Sequence, residues 1–179
     1  MKLHVKLSDT FDLSKIDVNK TEVSFVATED ERAKVRETLM IPEVSRLEGT
    51  LTIRPWHKTG FMIGGDLSAS VAQECVVTLE RVEEEVETRF ERSFLPPEEA
   101  AQVEPDEDVE VDFALESEDP PDILDGHTLN LLKIVSEHLA LGLEPYPRKE
   151  GAQISDTYAR GEEEDAKENP FDVLKQLKE

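Results

Sequence analysis

The sequence predicts an α+β fold: an antiparallel β-sheet or partly open barrel with a long packed helix near the C-terminus. Three observations carry that expectation. VTLERVEEEVETRFERSF, from Val77, places Val82, Val86, Phe90 and Phe94 on one face and charges on the other. HKTG (His57 to Gly60) reads as a hairpin loop, with Gly60 supplying the backbone freedom of a turn. HTLNLLKIVSEHLALGLEP brings Leu131, Ile134, Val135, His138 and Leu139 together at i+3 and i+4 spacing, the mark of an amphipathic helix.

Taken in order, LHVKL (Leu3 to Leu7) alternates as a half-buried strand does. TEVSFVAT repeats the pattern with Val23, Phe25 and Ala27 on one face. EDERAKVRETL from Glu29 is a helix, with Thr28 as cap, Glu31 completing a capping box and acid in the first turn. Ala33, Val35, Val44 and the Leu39–Ile41 stretch supply its apolar contacts, and Pro42 stops it. In VSRLEGTLTIRPW, Leu47, Leu51 and Ile53 are spaced as a buried face, and Gly49 is a candidate bulge. FMIGGDLSASVA runs back, and residues 76–80 make the turn between two long strands whose charged outer faces discourage edge-to-edge aggregation.

From Pro96 to Asp125 the chain turns rich in Pro, Asp and Glu and is expected to be mostly loop, with too little apolar surface to offset the entropy of ordering. VEVDFAL (Val109 to Leu115) alternates and is expected to be an edge strand. In the helix from His127, Thr128 or Asp125 is the expected cap and Pro145 the stop. Leu129, Leu132, Leu141 and Leu143 widen its apolar surface, so packing on two sides is expected. Tyr158 to Glu168 reads as disordered, and NPFDVLKQLKE as a short terminal helix with Asn169 as cap. The implied organisation is one domain over 1–155, with an acidic loop inserted at 96–125, and an acidic tail with a terminal helix over 156–179.

The net charge of −22 is uneven. Residues 1–95 carry 13 Lys and Arg against 18 Asp and Glu, whereas residues 96–179 carry 7 against 24. Tight, sequence-blind binding of nucleic acid relies on basic patches, so this balance points instead to a basic protein partner reached by electrostatic steering. No apolar run approaches a membrane span, MKLHVKLSDTFDL lacks the core of a signal peptide, and Cys75 is the single cysteine. A cytoplasmic protein is expected.

Little in the sequence points to chemistry. One cysteine and four scattered histidines (His4, His57, His127, His138) fall short of a zinc set, so no metal and no cofactor is expected. Cys75, beside Glu74, is expected to be buried and inert, since a carboxylate raises a thiol pKa. Glu83–Glu85 and Glu162–Asp165 are solvated charge runs, and Gly64–Gly65 lacks a phosphate-loop framework. EPYPRK offers a rigid backbone, the ring of Tyr146 and the cations Arg148 and Lys149 as a contact site for protein or RNA. The commoner outcome of such prolines is a helix stop with Tyr146 packed on the core. At the end of the chain, Phe171 and Leu174 can either dock in a partner's groove or pack back on their own domain.

Three stretches together resemble the YceD family. They are TEDERAKVRETLMIPEVSRLEGTLTI, GFMIGGDLSASVAQECVVTLERV with ETRFERSFLP, and DPPDILDGHTLNLLKIVSEHLALGLEPYPRK, spanning roughly residues 20–155. The first is similar to proteobacterial members. The family commonly has a Cys-x-x-Cys followed by a leucine and an acidic residue; Cys75 matches the second cysteine and Ala72 stands at the first, so a family metal site would not transfer. The resemblance implies a non-enzymatic role in large-subunit rRNA accumulation and ribosome assembly. The binding reading joins the acidic second half to a basic ribosomal protein or assembly factor. The alternative is direct RNA binding by the sheet face, which needs Lys34, Arg36, Arg46, Arg54, Lys58 and Arg148 to cluster. A nuclease is disfavoured for want of a carboxylate cluster or activated nucleophile.

Overall fold

A computed structural model describes residues 2–16, 20–100, 120–124 and 126–153. Its frame is three long antiparallel strands: β4 (Glu43–Trp56), β5 (Gly60–Glu74) and β6 (Arg81–Leu95). The 57–59 and 75–80 turns join them as the sequence predicts. β3 (Thr21–Val26) pairs antiparallel with β4, and β1 (Lys2–His4) lies parallel to β3. β7 (Asp122–Ile123) adds a short parallel segment to β6. The order is β1-β3-β4-β5-β6-β7, an open sheet and not a barrel. A second, two-stranded sheet joins β2 (Thr10–Asp12) to β8 (Thr128–Asn130).

Strict alternation divides the sheet into two faces. Val23, Phe25, Leu51, Ile53, Ile63, Leu67, Val86 and Phe90 point inward and are buried. Helices α1 (Glu29–Leu39) and α3 (Leu131–Gly142) cover that face, α1 against β4 and α3, and α3 against β5 and β6. Val35, Leu131, Ile134, Val135 and Leu139 complete one core with the strand residues. Gly65 sits opposite Phe90, whose ring occupies the space a side chain there would take.

The capping box of α1 forms as expected, with Thr28 and Glu31 bonded reciprocally. Met40 takes the left-handed conformation (φ 53°) and closes the helix ahead of Pro42. Several expectations are corrected. Ala33 is exposed, and so is Met40, leaving Val35 as the fully buried apolar contact of α1. Gly49 keeps regular register; the irregularity lies between Val44 and Arg46, and it turns Arg46 to the outer face. Gly49 serves close approach instead, since a Cβ there would stand 2.6 Å from the Asp66 carbonyl oxygen. Within the expected loop, Pro97–Ala100 forms a helical turn, α2, and Asp122–Ile123 forms β7. Helix α3 has only 12 residues, because Thr128–Asn130 pair with β2 and Asn130, not Thr128 or Asp125, is the cap. It ends at Gly142, before Pro145, and packs on one side: Leu141 is 80% exposed. The VEVDFAL strand, the Tyr158–Glu168 stretch and the terminal NPFDVLKQLKE lie outside the described residues.

Candidate functional site

Two surfaces stand out, one at an end of the sheet and one on its uncovered face. At the end, the segment after α3 docks on the β5–β6 turn. Val76 N–H donates to the Pro147 carbonyl at 2.9 Å, and Lys149 N–H donates to Cys75 Sγ at 3.3 Å. Gln73 donates to the Glu144 carbonyl, Glu84 accepts the Glu144 N–H, and Lys149 Nζ reaches Glu80 at 3.0 Å. Pro147 is the residue that plugs in; Tyr146 does not pack on the core but stands 70% exposed. Val76 and Leu79 are exposed beside it, Leu79 on left-handed backbone (φ 59°). Arg148 is exposed and makes no ion pair among the described residues. Of the sequence-predicted contact residues, the structure therefore brings Tyr146, Arg148 and Lys149 to one tip, while Phe171 and Leu174 lie outside the described residues.

Cys75 is fully covered, as expected, but its thiol is not of the ordinary kind. The Lys149 amide first, then Thr78, hold it down to about 6, against the opposing effect of burial. Sequence reasoning missed this because the main donor lies 74 residues away. Ala72 lies back in β5 opposite Glu83, roughly 10 Å along an extended chain from Cys75. Thr78, whose N–H meets Sγ at 3.5 Å, is the position that shares the turn with Cys75.

A folded thiol pKa below the unfolded one contributes stability that is fully present above the unfolded value and lost as pH falls through the folded value. Stability should therefore rise between pH about 6 and 9, and Cys75→Ala should flatten that rise. Thiolate absorbance at 240 nm is expected to titrate near 6 in the native chain; a midpoint at the free-cysteine value of about 8.5 contradicts the geometry.

The outer face of β4–β6 presents Glu43, Glu48, Asp66, Glu74, Glu83, Glu85, Glu87 and Glu91 against four arginines. Each arginine is already held. Arg46 binds Glu48 and Glu85 at 2.7 and 2.8 Å, and Arg54 binds Glu91 at 2.8 Å. Arg81 binds Glu43 and Arg89 binds Asp66, both at 2.6 Å. Glu85 is lowered by the Ser70 hydroxyl and then by Arg46. These half-exposed pairs contribute little stability; their effect is to leave the face acidic with its cations occupied. Small residues, Thr50, Gly64, Ser68 and Ser70, line its middle.

The six cations that direct RNA binding requires do not form one patch. Lys34 and Arg36 ride on α1, on the covered side of the sheet, while Arg46 and Arg54 are on the other side. Lys58 and Arg148 sit at opposite ends of β5, roughly 45 Å apart. Among the described residues no three His, Cys, Asp or Glu side chains are grouped to hold a metal ion. No described helix is long and apolar enough to cross a membrane.

A third cluster pins β7 to the body. Arg92 donates to Asp122 at 2.5 Å and to Glu137 of α3, and lies over the Phe94 ring. His138 stacks on Phe90 at 3.7 Å between ring centroids, and burial followed by Arg92 lowers its pKa.

The family model described as Large ribosomal RNA subunit accumulation protein YceD matches residues 63–178, from near the start of β5 almost to the end of the chain. Nothing matches among the curated proteins or the solved structures.

Proposed function

Since this chain belongs to the YceD family of large ribosomal RNA subunit accumulation proteins, we propose that it supports rRNA accumulation and ribosome assembly without catalysis, by binding a basic protein. That partner is a ribosomal protein or another assembly factor, met in the cytoplasm. The acidic outer face carries this reading. Its arginines are occupied by carboxylates, so what it offers a partner is excess negative charge. Residues 96–179, with 7 cations against 24 acids, extend the same field, which speeds encounter with a positive surface. Tyr146, Arg148 and Lys149 at the sheet end, with Phe171 and Leu174, supply further contacts in this reading. Direct RNA contact by the sheet face is the weaker alternative, because phosphate would displace carboxylates from every arginine there.

Deleting the gene should raise precursors of the large-subunit rRNA and lower the ratio of large to small subunits. A copy carrying Glu83, Glu85, Glu87 and Glu91 as glutamine should fold yet fail to restore them. Unchanged precursors on deletion, or full rescue by the neutralised copy, would count against the proposal.

A further inference from the structure

β6 forms a sheet edge, and its geometry says what can lie there. It pairs with β7 only at Phe94 and Leu95. The Leu95 carbonyl faces outward, since it accepts Leu124 N–H at 2.7 Å, whereas the Glu80 carbonyl faces β5 through Cys75 N–H. Backbone direction alternates along a strand. The outward N–H and C=O groups therefore belong to the odd-numbered residues: Glu83, Glu85, Glu87, Arg89 and Glu91. Among the described residues none of these groups is paired with another backbone group. The same residues carry their side chains on the acidic outer face.

The other side of this edge is different. A cavity of about 770 Å³ straddles its upper end, with Met62, Glu91 and Ser93 on the outer face and Arg92, Glu137, Ala140 and the exposed Leu141 on the helix side. An unpaired edge invites another strand, and charge decides which. Two copies of β6 set antiparallel about Glu87 would place Glu87 against itself and Glu83 against Glu91, with Glu85 against Arg89 as the attractive pair; with four glutamates to one arginine on each edge, self-pairing is opposed.

We infer that the β6 edge, through the outward backbone groups of Glu83 to Glu91, is a docking site for an extended lysine- or arginine-rich segment of a partner protein, added as a further strand. Its basic side chains lie beside the glutamates, and its alternate apolar side chains face Leu141 and Ala140. The inference rests on the reading of a basic protein partner and adds the surface and the mode of binding.

The probe is a decapeptide alternating lysine and valine, titrated against the full chain at low salt. Two forms of it carry backbone N-methyl groups, one on the lysines and one on the valines. Charge is the same in all three. Antiparallel addition turns the lysine amides to β6, and parallel addition turns the valine amides to it. One methylated form should thus bind about ten-fold more weakly and the other like the parent. Glu87→Pro removes one outward N–H without touching the β5 ladder, and should weaken the parent peptide more than Glu87→Gln does. If both methylated forms bind as the parent does, the edge inference falls while a basic partner held by charge survives. If the parent peptide fails to bind, or a uridine oligonucleotide binds in its place, the edge inference falls with the reading beneath it. Should Glu87→Pro not fold, the methylated peptides still decide.

Discussion

Replacing Glu31 by alanine should destabilise the fold by about 3 kcal/mol, the sum of a lost cap and lost charge-assisted hydrogen bonds. The side chain is almost fully buried, at 1% exposure, yet polar on every side. Its carboxylate accepts Ser8 N–H at 2.7 Å, Thr28 N–H at 2.9 Å and the Thr28 hydroxyl at 3.1 Å. It therefore ties the chain entering β2 to the start of α1. Alanine leaves two part-buried backbone donors, those of Ser8 and Thr28, without their carboxylate; glutamine retains one acceptor and should cost about half as much. Chemical denaturation at neutral pH measures both.

The same site sets an acid limb. Burial pushes the Glu31 carboxyl up, but the Thr28 and Ser8 donors outweigh it and hold it below its ordinary value of 4.5. A depressed carboxylate contributes stability that is whole above the unfolded pKa and disappears as pH falls through the folded one. The gap between wild type and Glu31→Gln should accordingly hold at neutral pH and close only in acid below 4.5.

The second large effect is expected at Arg92. Arg92→Ala leaves Asp122 and Glu137 facing each other without their shared cation. Their partial exposure allows water to screen them, so about 2 kcal/mol is expected rather than the larger cost of a fully buried pair. Arg92→Lys keeps the charge but loses the planar fork that holds both carboxylates, and should recover only part of the loss. Amide exchange should show the change locally, with faster exchange at Leu124, whose N–H pairs with Leu95, before the centre of β5 is affected. Uniform exchange across the sheet contradicts a local clamp.

These two sites show why parts of the molecule were readable and others were not. Thr28 and Glu31 are three residues apart, so the box is written in adjacent sequence. The hairpins were equally local, because period-2 patterning and turn residues both lie within the strands that use them. Ser8 is 23 residues from Glu31 and Arg92 is 45 from Glu137, and no pattern announces either pairing. Helix α3 was overestimated for the same reason. Thr128–Asn130 have a helical neighbourhood in sequence, but β2 captures them as a strand, which hands the cap to Asn130. The packing of Leu141 was misjudged because an apolar residue can face an uncovered edge as well as a core.

The candidate surfaces were legible in part. EPYPRK drew attention through its composition, and the tip places Tyr146, Arg148 and Lys149 together. What the sequence hid was the base on which they stand, the turn around Cys75 and the buried Pro147. The acidic face was visible as alternating charge on β6; the capture of Arg46, Arg54 and Arg89 by carboxylates needed the strand register. That capture removes Arg46 and Arg54 from the six cations the RNA reading needs, which favours the proposed basic partner.

The most direct measurement is affinity capture with the full chain as bait, performed at low and high salt, with and without nuclease. The expected result is a basic protein of large-subunit precursors that stays bound after nuclease treatment, is released by salt, and is lost when Glu83, Glu85, Glu87 and Glu91 become glutamine. Recovery of rRNA fragments as the primary ligand, with every protein released by nuclease, would contradict the account.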